Sequence, residues 1–166
     1  KTEIMPGRPT VSEHRFPTDD VKKALPKNAS MLSKLHTMII TAAEQQTMNF
    51  YMNCGTFYGA SELGRRLFLE IGMIEEQHVS LYESLQDAST TWLECLLMHE
   101  YTECYLYYSM LSDETDDYIR GIWSDHLTRE IGHLHAAADL LERYEHKHWS
   151  QVIPEGAFPE LLSFSE

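Results

Sequence analysis

The chain has 166 residues, is 43% hydrophobic and carries a formal net charge of −13. That suits one domain with its own core and excludes a disordered chain; the acidic balance excludes a nucleic-acid partner, which would need a basic surface. No apolar run approaches the roughly 18 residues of a membrane span, and Cys54, Cys95 and Cys104 form neither a CxxC pair nor an even framework, so a reducing, cytoplasmic setting is expected.

All six prolines lie outside residues 27–153. A proline inside a helix costs about 3 kcal/mol, and no alternating strand pattern interrupts this stretch, so the expected fold class is all-α. Residues 1–28 read as an extended N-terminal arm, 29–149 as the helical body and 150–166 as a C-terminal tail lying along that body or reaching a partner. The first helix is predicted over about residues 30–53, with "KNAS" supplying its N-cap and the loop "CGTFYGA" after it. A second, capped by Ser61, is predicted over 61–85 and closed by "QDAS". The third covers 89–111, where "SDETDD" breaks it; Ser112 or Asp113 then caps a fourth over 114–146, with acids in its first turn, where the helix dipole favours them. Helices of this length with short connections predict a four-helix bundle.

Glu-x-x-His on a helix puts both side chains on one face, about one turn apart, where two ligands can reach one metal. Three such pairs occur: Glu75/His78, Glu130/His133 and Glu145/His148. About one is expected by chance in a chain this rich in Glu and His, and the third, in the polar "RYEHKHW", reads as solvated surface. The other two differ in their surroundings. Glu75 shares its face with Phe68, Ile71, Gly72, Val79 and Tyr82, and Glu130 with Trp123, His126, Leu127, Leu134 and Ala137. A carboxylate there meets a steep desolvation cost unless it is paired or bound to metal. Glu44 on the first helix and Glu100 on the third stand in the same situation. Each helix thus offers one acid on its apolar face, and two add a histidine. Aligning the Glu-x-x-His pairs sets Phe68 against Trp123 and Val79 against Leu134, so the two halves read as related hairpins.

This pattern, carried by "EQQTMNFY", "EEQH", "HEYTE" and "REIGH" across residues 30–146, resembles the ferritin-like di-iron carboxylate bundles, which take one Glu from each of two helices and Glu-x-x-His from each of the others. Within that superfamily it most resembles the rubrerythrins. The resemblance implies a ferritin-like four-helix bundle whose metal ligands are Glu44, Glu75, His78, Glu100, Glu130 and His133. It implies Glu103, three residues after Glu100, as a mobile extra ligand, although an acid merely paired near the site fits as well. Tyr51 and Tyr108 match the family's tyrosines and are either redox-relevant or core tyrosines. Two iron ions per site are implied, with manganese or a mixed pair fitting the same oxygen-rich donors. The chain lacks the rubredoxin module of full-length rubrerythrins, so electrons would come from a separate donor protein or a small reductant. The implied activity is reduction of hydrogen peroxide or O₂. Alternatives are an iron-handling ferroxidase or storage protein, a di-iron oxygenase acting on an organic substrate, and a metal-binding interaction protein without turnover.

Spacing adds an expectation about assembly. Glu44 to Glu75 is 31 residues and Glu100 to Glu130 is 30, but Glu75 to Glu100 is only 25. A parallel crossover that returns to the same height needs roughly eight extended residues, and "QDAS" supplies four. Either the third helix starts late, or the bundle is plainly up-and-down, or hairpins are exchanged between the chains of a homodimer; the swapped dimer is preferred. Among the remaining residues, Glu62 and Glu94 read as surface acids and Glu76 as surface or a partner of the ligands. His99, His126 and His135 read as histidines beside the ligands or in solvent, and Cys104 as a small buried hydrophobe.

Overall fold

The computed structural model describes residues 22–57 and 61–164. Among these the chain is all-helical, with no strand: α1 (Met31–Phe57), α2 (Glu62–Glu83), α3 (Trp92–Asp113), α4 (Asp117–Glu145) and a 3-10 turn at Trp149–Gln151. No described helix is long and apolar enough to cross a membrane. Most of the arm expected over residues 1–28 lies outside the described residues. Its last part, residues 22–29, runs against the end of α2, where the Lys22 N–H donates to Ser84 Oγ and the Leu25 N–H to the Leu85 carbonyl.

Helix starts follow cap chemistry. Ser30 Oγ accepts from the Ser33 N–H at the start of α1, and Ser61 Oγ from the Gly64 N–H at the start of α2. α1 runs on through Cys54 and Gly55, which the sequence placed in a loop. α3 starts later than expected: Thr91, not Ser89, is the N-cap, and Thr91 with Glu94 forms a complete capping box. The connection from α2 to α3 is therefore residues 84–91. Its eight residues include turns at 84–85 and 88–89 rather than running fully extended. α4 is capped by Asp116 rather than Ser112 or Asp113, because α3 continues through both of those residues. His146 ends α4 in the left-handed region, at φ 54°.

The chain divides into two compact units, and each is built on a helical hairpin. In the unit built on residues 36–88, α1 lies against α2. A Cβ at Gly72 would stand 3.1 Å from the Met52 side chain, and one at Gly55 3.3 Å from Phe68 Cβ, so both glycines mark close helix approach. Tyr51 meets Phe68 edge-on at 5.4 Å between ring centroids. In the unit that holds residues 89–166, α3 packs on α4, and the tail lies along α3. The buried Tyr101 and Tyr105 hydroxyls donate to the Ala157 and Glu160 carbonyls at 2.8 and 2.7 Å, while Phe158 packs against the rings of Tyr101, Tyr105 and Tyr108. Of the two destinations expected for the tail, this is the body of its own chain. The aromatic run "YLYYSM" is accordingly core in part, with Tyr105 and Ser109 fully buried.

Two acids read as surface are structural. Glu94 completes the Thr91 capping box and pairs with Lys147 at 2.8 Å. Glu145, from the Glu-x-x-His pair assigned to solvent, accepts from the Thr91 hydroxyl at 2.6 Å and from Lys147 Nζ at 3.4 Å. Burial pushes Glu94 up, but Lys147 and the Thr91 N–H outweigh it and hold the carboxyl below its usual range. Glu62 is the exposed acid expected, paired with Arg65 and Arg66 in the first turn of α2.

Candidate metal centre

Each hairpin gathers two carboxylates and an imidazole. On α1 and α2, Glu44, Glu75 and His78 bring one ligand atom each within 4.8 Å of one another; on α3 and α4, Glu100, Glu130 and His133 do the same. The i, i+3 spacing stacks each histidine over its glutamate, and the preceding helix supplies the second acid. In the first triad His78 Nδ1 lies 3.3 Å from Glu75 Oε2 and 3.4 Å from Glu44 Oε2. In the second, His133 Nδ1 lies 2.8 Å from Glu130 Oε2 and 3.8 Å from Glu100 Oε2. The same ring nitrogen therefore faces the acids in both.

The electrostatics follow from two acids sharing one place. Burial, with a hydrogen bond to the Glu75 carboxyl, raises Glu44 above the usual carboxylate range despite the pull of His78. Burial likewise raises Glu100; His99 and His133 pull it down, and the Glu130 carboxyl pushes it further up. Beside Glu130, His133 is raised, first by their hydrogen bond and then by charge. Paired acids that cannot both ionise comfortably are a liability without a cation, and a divalent ion removes the conflict.

The donors fit such an ion. Ligand atoms about 2.1 Å from one metal stand about 3.0 Å apart at 90° and about 3.6 Å apart at 120°. The first triad's 3.3 and 3.4 Å fall inside that range, and the second triad's 2.8 and 3.8 Å bracket it. Carboxylates with one imidazole suit iron, manganese or zinc.

The other residues singled out from sequence take different places. Glu103 is not a member of the second triad, although with Glu130 and Glu100 it acts on the buried Cys104 thiol, which burial pushes up to about 12. Cys104 is the small buried hydrophobe expected. Tyr108 is 42% exposed, and its ring stacks on Phe158 of the tail. Tyr107 instead holds the position that mirrors Tyr51. Each stands seven residues after the α1 or α3 glutamate, and each meets the aromatic seven residues before the Glu-x-x-His acid, Phe68 or Trp123, the latter pair at 6.1 Å. The seven-residue spacing and the Phe68/Trp123 alignment were the sequence signals for it. His126 packs against the rings of Tyr107 and Trp123 at 5.1 and 6.4 Å, so it belongs to this aromatic cluster, while His99 and His135 are exposed. Glu76, read as surface or as a ligand partner, is only 1% exposed and accepts from the Ser80 hydroxyl at 3.3 Å.

Comparison with known protein families, with curated proteins and with solved structures gives no match.

Proposed function

We propose that each triad holds one divalent transition-metal ion, and that the loaded chain is an oxidoreductase of hydrogen peroxide or O₂ in a ferritin-like, rubrerythrin-like setting. The single observation carrying this is the convergence, twice over, of two glutamates and a histidine Nδ1 within 4.8 Å. Two iron ions, when bound, supply the two electrons that reduce peroxide to water. The protein's part is to set the ions' positions and charge. Glu44, Glu75, Glu100 and Glu130 neutralise the cations, while His78 and His133 each give a neutral nitrogen donor. Hydrophobic neighbours one turn from the ligands, Met48 and Val79 in one hairpin and Cys104 and Leu134 in the other, keep the surroundings apolar and strengthen those charges. No acid is assigned as a bridge. A separate donor protein or a small reductant supplies the electrons, and the chain acts as a homodimer.

Anaerobic stopped-flow tests the activity. Protein loaded with iron(II) should oxidise rapidly on mixing with peroxide and more slowly with O₂, and a reductant should restore it for further turnover. Iron(II) protein that reacts with O₂ faster than with peroxide, and releases its iron(III), points instead to iron handling. The 63% exposure of the His133 side chain is the observation favouring that second reading. Iron(II) protein inert to both oxidants removes the oxidoreductase assignment.

A further inference from the structure

The two triads have one donor set but different geometry. In the first, His78 Nδ1 stands almost equally far from its two acids, at 3.3 and 3.4 Å, and the imidazole is 32% exposed. Such spacing is already that of atoms sharing one ion, so little rearrangement precedes binding. The walls there are close: Gly72 admits the Met52 side chain, and Val79 and Met48, one turn from Glu75 and Glu44, are buried.

In the second triad His133 Nδ1 has closed onto Glu130 at 2.8 Å and stands off Glu100 at 3.8 Å. A metal must open that contact before both atoms can turn toward it. The His133 side chain is 63% exposed. Its helix is open around it: Ile131 is 44% exposed, and a Cβ at Gly132 would meet nothing within 4 Å. An exposed ligand keeps rotamer freedom and hydration that binding must remove, and it lacks neighbours to fix its orientation. Water and chelators can also reach the ion from that side.

Building on the metal-binding reading above, we infer that the triads are inequivalent. Glu44, Glu75 and His78 form the tight site that fills first, and Glu100, Glu130 and His133 form a weaker site that exchanges its ion with solution. Affinities roughly tenfold or more apart are expected, in the range by which loss of orienting groups weakens metal sites.

Metal-free full chain titrated anaerobically with cobalt(II), followed by visible ligand-field absorption, tests this. Wild type should take up two ions in two separable steps. His133→Ala should weaken only the second step, and His78→Ala the first, with far-UV circular dichroism confirming that both variants stay helical. If a variant fails to fold, release from loaded wild type into a chelator serves instead and should show a fast and a slow phase of equal size. Two indistinguishable steps, single-phase release, or loss of the tight step in His133→Ala overturns the ordering and leaves metal binding intact. No cobalt(II) uptake at all removes the metal reading itself, and the ordering with it.

Discussion

Glu44→Gln should make the metal-free protein more stable while sharply reducing its response to metal. Glu44 is raised by burial and by its hydrogen bond to Glu75. A group whose folded pKa is raised favours folding below its unfolded value, and that contribution is lost as pH rises through the folded pKa. At neutral pH the metal-free hairpin therefore carries a charge conflict. Two like charges about 4 Å apart at an effective dielectric near 20 repel by about 4 kcal/mol. The pull on Glu44 toward its charged form from His78, 3.4 Å away, offsets part of this, and solvent screening leaves about 1 kcal/mol to be gained. Gln keeps the shape and can donate to Glu75. For a chain of this size the gain is about 2–4 °C in Tm. Metal should shift wild type further, because free ion at about 100 times Kd adds about 2.7 kcal/mol. Differential scanning fluorimetry with and without manganese(II) should thus rank the samples: metal-free wild type lowest, the variant in the middle with a much smaller response to metal, and loaded wild type highest. A variant less stable than metal-free wild type, or one that responds to metal as wild type does, refutes the reasoning.

Three further outcomes rest on Thr91, Glu94 and Cys104. Thr91→Ala removes the α3 cap and the hydroxyl that Glu145 accepts from, and should lower stability by about 1–2 kcal/mol in urea unfolding. Glu94 is held low by Lys147 and Thr91, so its stabilisation is present above its unfolded pKa and is lost as pH falls through the folded one; Lys147→Met should flatten that acid-side loss in unfolding curves taken at several pH values. The Cys104 thiol, buried and pushed up to about 12, should resist a disulfide reagent at pH 8 until the protein unfolds, while the half-buried Cys54 and Cys95 react first.

The four helices were legible because proline is absent from residues 27–153 and because Ser30 and Ser61 mark starts that only a cap explains. The later starts were not. "STT" offers three successive caps before α3, and only Thr91 has a Glu three residues on to close the box. In "SDETDD" the competing acids hid Asp116. The six triad residues were readable from i, i+3 spacing together with the apolar faces that carry them, which also set the Glu145/His148 pair aside. Depth was not readable: Glu75 and Glu76 sit about 100° apart, and the more deeply buried of the two is Glu76. Glu145 and Lys147 were out of reach for another reason, because their partners Thr91 and Glu94 lie more than fifty residues away. Ring placement alone separates Tyr107, against Trp123 as the repeat pairs it, from Tyr108, against Phe158 of the tail.

Metal content decides whether the two triads bind metal. Chain purified without chelators, loaded anaerobically with iron(II), desalted and measured by mass spectrometry should retain between about one and two iron ions per chain, the second partly lost from the weaker triad. Combining Glu75→Gln with Glu130→Gln should bring that close to zero with the helices intact. Fewer than about one ion per chain in the wild type, or retention unchanged in the double variant, contradicts the account.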